Sequence, residues 1–87
     1  MVENDKLLVQ ALVDAFLLLE TAEAHEIDPD TAVRGMENIA SSLLLMDPAG
    51  QQGVRAAMTE LGDASGDLAY REFAQALPDM IGLAPEP

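Results

Sequence analysis

Cysteine is absent from the sequence, which excludes a disulfide framework, a thiolate metal site and a cysteine nucleophile. That absence accords with a reducing compartment, and a cytoplasmic protein is expected. Tryptophan is missing as well, and Phe16, Phe73 and Tyr70 are the only aromatic residues. A core must therefore be assembled from Leu, Ala, Val, Ile and five Met. Such a palette suits helices better than sheets, where β-branched and aromatic residues prevail. Long apolar runs are also lacking. The longest, at 16–19 and 43–46, fall far short of the ~20 residues that a membrane span needs. The N-terminal Met1-Val2-Glu3-Asn4-Asp5 is acidic where a secretory leader would be basic.

Positive charge is the scarcest commodity. Lys6, Arg34, Arg55 and Arg71 face sixteen acids, for a formal net charge of -12 on 87 residues. The four bases are scattered singly and form no stripe for a phosphate backbone, so no nucleic-acid partner is expected. Charge of this sign also repels anionic membranes, whereas it speeds association with basic proteins. The chain is not a disordered acidic tail, because 49% of its residues are hydrophobic and such tails are poor in them. Its length fits one domain.

No segment alternates with period two, and the punctuation is helical. Asn4 or Asp5 is placed to cap a first helix, with Leu8, Leu12, Ala15, Phe16 and Leu19 on one face. A second stripe, Val9, Val13 and Leu17, widens the apolar arc beyond what one neighbour covers, so that the helix is either central to the bundle or half of a dimer contact. Asp28-Pro29 reads as N-cap and N1 of a second helix, with Asp30 favourable to its dipole and Val33, Met36, Ile39, Ala40, Leu43 and Leu44 on one side. Asp47-Pro48 repeats the signal for a third helix through Val54, Ala57, Met58 and Leu61, which Gly62 should end as C′ residue. Asp67 caps a fourth, with Tyr70, Phe73, Ala74 and Leu77 inward and Pro78 as its stop. Met80, Ile81 and Leu83 should fold back. The expected architecture is a small all-α bundle of four helices, one domain over 1–83, with 84–87 as a flexible tail.

Catalysis finds little support. The single His25 lies in an acidic run with no Cys and no Ser or Lys beside an evident base, and a bundle this small has little room for a pocket of ~300 Å³ or more. No enzyme and no cofactor are expected. The acidic run itself is the stronger candidate. Glu20, Glu23, Glu26, Asp28 and Asp30, joined by Glu37, surround the first inter-helix turn, and only Arg34 is near enough in sequence to offset them. Local pairs of Arg34 with Asp30, Glu37 or Glu26 contribute a few tenths of a kcal/mol each, on the order found for surface helix pairs. A basic surface on another protein is the complement such a run calls for.

A second candidate is a cation site. The stretch 61–73 resembles an EF-hand loop: Asp63 and Ser65 fall on its third and fifth positions, Gly66 on the turn glycine, Leu68 on the buried apolar position and Glu72 on the closing carboxylate. That resemblance implies calcium binding through Asp63, Ser65, Asp67 and Glu72. It departs from the pattern at its first position, where Leu61 stands in place of a ligating Asp. The segment 16–27 is a weaker echo, with Ala22 and Ala24 at ligand positions.

The stretches Glu26-Ile27-Asp28-Pro29-Asp30-Thr31-Ala32-Val33, Met36-Glu37-Asn38-Ile39-Ala40, and Tyr70-Arg71-Glu72-Phe73 with the later Leu77-Pro78 and Gly82-Leu83 resemble small, acidic, helical bacterial proteins of poorly assigned function. In size and charge the chain is also similar to immunity proteins, the antitoxins that bacteria keep against their own interbacterial toxins. That likeness implies a binding protein that occludes a basic toxin through Glu20, Glu23, Glu26, Asp28, Asp30 and Glu37. The alternatives are the EF-hand-like module and a homodimeric adaptor or chaperone using Val9, Val13 and Leu17.

Overall fold

The structure, a computed structural model, describes residues 3–86. It consists of four helices, α1 (Glu3–Thr21), α2 (Pro29–Leu43), α3 (Pro48–Ala64) and α4 (Leu68–Ile81), with no strand among the described residues.

Three of the helices start as their sequence dictates. The Asp28 carboxylate accepts from the Thr31 N–H at 3.2 Å, Asp47 from Gly50 at 2.7 Å, and Asp67 from Ala69 at 2.9 Å and Tyr70 at 3.3 Å. Pro29 and Pro48 occupy the first helical positions, where the missing N–H has no partner to lose. Each such cap contributes about 1 kcal/mol. The first helix differs. It already includes Glu3, so Asn4 and Asp5 lie in its opening turn and neither is its cap.

The core draws on Val9, Val13 and Phe16 of α1, Val54, Ala57 and Met58 of α3, Ala74 and Leu77 of α4, and Leu83 beyond it. Of the two readings for α1, the structure has the central helix and not the dimer contact. Val9 and Val13, assigned to a dimer face, are in the core, and Leu17 is half-buried, while Leu8 of the expected core stripe is exposed. The apolar arc of α1 serves three neighbours rather than one. Val9, Val13 and Phe16 pack in the core with α3 and α4, and Leu19 reaches Gly35 of α2. Leu8 is left exposed, as are Leu7 and Leu18. No dimer surface remains at Val9 and Val13.

Two punctuation residues also act differently from their sequence reading. Gly62 does not end α3, which runs on to Ala64. A Cβ on Gly62 would lie 2.8 Å from Gln75 Cγ and 3.1 Å from the Arg71 carbonyl oxygen, so its bareness is what lets α3 and α4 approach. Nor does Pro78 stop α4, which runs on to Ile81: its fixed φ is itself helical, and the lost N–H bond and the crowding of the Ala74 carbonyl by its ring fall in the last turn and a half of the helix. The helix ends at Gly82, whose φ of 80° suits glycine. There the Leu83 N–H donates to the Pro78 carbonyl and the Gly82 N–H to Asp79, the paired bonds of a Schellman turn.

The segment expected to fray from Ala84 is instead tied to α3. Ala84 N–H donates to Gln51 Oε1 at 2.9 Å. The Arg55 guanidinium donates to the carbonyls of Leu83 at 2.8 Å and Ala84 at 3.0 Å, and to Asp79 Oδ1 at 2.8 Å. Gln52 Nε2 reaches the Pro85 carbonyl at 3.0 Å. Of the three apolar residues expected to fold back, Leu83 is buried, Ile81 is half-buried and Met80 remains exposed. No described helix is long and apolar enough to cross a membrane.

Candidate functional site

The turn from α1 to α2 is compact. The Glu26 and Ile27 N–H groups donate to the Glu23 carbonyl at 2.8 and 3.0 Å, and Glu26 Oε1 accepts from the Glu23 N–H at 3.0 Å. His25 Nδ1 lies 3.4 Å from Glu23 Oε2, with both side chains open to solvent. Asp28 is occupied as the α2 cap. Glu20, Glu23, Glu26, Asp28, Asp30 and Glu37 are all exposed. The structure thus brings the expected acidic run to the corner between α1 and α2.

The decisive point is where the cations are. Lys6 reaches Glu60 at 3.0 Å, joining α1 to α3. Arg55 holds the C-terminal carbonyls. Arg71 donates to the carbonyls of Gly62 at 3.3 Å and Ser65 at 3.0 Å. Three of the four bases are thus committed within or between α1, α3 and α4. Arg34 alone lies on α2, exposed, and among the described residues no carboxylate oxygen comes within 4.0 Å of it. The anticipated local pairs with Asp30, Glu37 and Glu26 are not formed.

An apolar groove of about 300 Å³ opens between α1, α2 and α4. Phe16 and Leu77, both buried, reach it from the core, and Val33, Met36, Phe73 and Met80 line it from α2 and α4. Its only polar side chains are Glu20 and Glu37. Both belong to the acidic run. A second groove, of about 470 Å³, separates Leu8 and Leu12 of α1 from Leu43 and Met46 near the end of α2 and from Val54 of α3, with Asp5 at its margin. Sequence periodicity assigned Val33 and Met36 to the core face of α2, yet Ala32 is the only buried residue of that helix. The pairing of Val33 with Glu37, one turn apart, was the available sign that this face is amphipathic at its edge.

The residues of the EF-hand-like alternative do not converge. Leu61 to Ala64 are helical, leaving three residues between α3 and α4. Asp63 Oδ1 accepts from Gln75 Nε2 at 2.7 Å, Ser65 Oγ from the Asp67 N–H at 3.1 Å, and Asp67 is a helix cap. Glu72 is exposed on α4. Among the described residues no three His, Cys, Asp or Glu side chains gather as a cation cage. A cation already serves this turn, since Arg71 occupies the Gly62 and Ser65 carbonyls.

Tyr70 stands apart from the groove, beside Asp14 of α1 in a shallow cleft. Burial first, and then the Asp14 carboxylate, raise the pKa of its hydroxyl above the ordinary 10.0.

Comparison with protein-family models, with curated proteins and with solved structures finds no significant match. The reading of the site therefore rests on its chemistry.

Proposed function

We propose that the chain is a non-enzymatic acidic module that binds a basic protein, acting as an immunity-type inhibitor that occludes the positive substrate-binding face of a cognate toxin in the cytoplasm. The observation that carries this reading is the distribution of charge. Six exposed acids gather at the α1–α2 corner, while three of the four cations are engaged elsewhere in the fold. A field of one sign on one corner raises the encounter rate with a partner of the other sign. It also makes docking depend on salt, and it discourages partners of like charge. Inhibition then needs no chemistry, since a seated acidic body covers the surface that the toxin presents to its substrate.

The test is co-expression with the product of the adjacent gene, scored by growth. Protection by the native chain and its loss on combined Glu23→Lys, Glu26→Lys and Asp30→Lys, with the helical circular dichroism unchanged, is the expected result. A neighbour that is not toxic removes the immunity reading. Full protection by the triple variant removes the acidic corner from the mechanism.

A further inference from the structure

We infer that the groove between α1, α2 and α4 receives one face of a basic amphipathic helix from a partner protein. An apolar anchor side chain would enter between Val33, Met36, Phe73 and Met80, with Lys or Arg one turn away on Glu20 and Glu37. This inference rests on the basic-partner reading and specifies how that partner is held.

Four features of the groove lead there. Its walls are apolar surface that the monomer leaves uncovered: Val33 is 48% and Met80 56% exposed. Its size, about 300 Å³, is at the lower end of ligand pockets, which run from ~300 to ~1,000 Å³, and it is open to solvent. That shape suits inserted side chains better than an enclosed small molecule. Its only polar side chains are two carboxylates, with no base among the lining residues, so a cationic occupant finds complementary charge at its edge. Two of its walls are methionines, whose flexible thioethers adapt to varied apolar anchors.

A helical occupant supplies apolar and basic residues on one face at spacings of three and four, the usual way a helix is read by a groove. The bundle has no strand among the described residues to which an extended peptide could add. The larger groove at Leu8 and Leu43 has no comparable complement, as Asp5 is its only charged lining residue.

The test titrates the intact protein, labelled for NMR, with a synthetic Lys-rich amphipathic helical peptide. Controls are the same peptide with its apolar anchors changed to Ala, and a Glu-rich peptide of the same apolar face. Shifts centred on Val33, Met36, Glu37, Phe73 and Met80 are expected. So is a loss of affinity of ~tenfold or more for the Ala peptide, and for Val33→Lys and Met80→Lys separately, as for anchors at an interface centre. Both substitutions are at exposed positions on different helices, so a folding defect in one leaves the other informative.

Binding of the Ala peptide with equal affinity, or shifts confined to Glu23, Glu26 and Asp30, overturns the groove while the basic-partner reading stands. Equal binding of the Glu-rich peptide overturns the charge complementarity on which both depend. Absence of any binding overturns the groove as a helix receptor.

Discussion

The pair α3–α4 and the helix α2 are built to opposite specifications. Between α3 and α4 the packing is close enough to exclude a Cβ at Gly62, and the turn joining them and the chain beyond α4 are held by Arg71 and Arg55. Helix α2 rests chiefly on α1, buries only Ala32, and leaves a groove on either side. Its own arginine is not ion-paired among the described residues. The contrast separates a closely held part of an 87-residue chain from a looser, acidic one: cations close the first, whereas around the second the acids outnumber the single Arg34.

The sharpest way to break this contrast is truncation on both sides of it. Met58→Ala empties a fully buried site and should cost about 2–5 kcal/mol. Val33→Ala on the groove wall should stay within about 0.5 kcal/mol. Urea denaturation of both variants checks the pair, and comparable losses would mean that α2 is as much a part of the stable body as α3.

Next is Arg55→Ala, which removes two bonds to carbonyls and one to Asp79. A loss of roughly 1–3 kcal/mol is expected from the acceptors left without a charged donor, with faster amide exchange at Ala84. Unchanged exchange there would detach the C-terminal segment from α3.

A pair of glycines sharpens the comparison further. Gly62→Ala must displace Gln75 and meets the Arg71 backbone at 3.1 Å, and overpacking of this kind costs roughly 1–3 kcal/mol. Gly35→Ala meets only the end of the Leu19 side chain, at 3.2 Å and 3.7 Å, and should recover up to about 1 kcal/mol of helix propensity. Thermal melts of opposite sign are expected. A destabilised Gly35→Ala would show that α2 is packed as tightly as α4.

The smallest effect is at alkaline pH. Folding raises the Tyr70 pKa above 10.0, so the folded state favours the neutral phenol. The stability from this source is fully present below the unfolded pKa and is lost as pH rises through the folded one. Tyrosinate absorbance of the folded chain, which has one tyrosine, should therefore titrate above free tyrosine. Tyr70→Phe should remove the corresponding decline in stability, and a native midpoint at the free value would disconnect Tyr70 from Asp14.

The sequence was most legible where an interaction is local. Asp28, Asp47 and Asp67 declare their helices because a cap and its partners lie within three residues of each other. Meaning was lost where it depends on a distant neighbour. Gly62 reads as a stop and is a point of helix contact, because Gln75 and Arg71 decide its role. Leu8 and Val9 are adjacent and both suit an apolar stripe, so only the positions of α2, α3 and α4 choose between them. The exposed acids could be read in sequence, whereas the groove could not. Its lining unites Glu20, Glu37 and Phe73 from three helices, and it exists because α2 leaves space between itself and α4.

The placement of the cations also gives ionic strength two opposite tasks. Arg55 and Arg71 grip backbone carbonyls, bonds made at contact distance, whereas the net charge of -12 acts across the whole body, where added salt screens it beyond about 10 Å at 0.1 M. Salt should therefore relieve self-repulsion and firm the folded chain while loosening any partner held by that charge. The conditions that best preserve this molecule are those in which a partner held by charge would bind least.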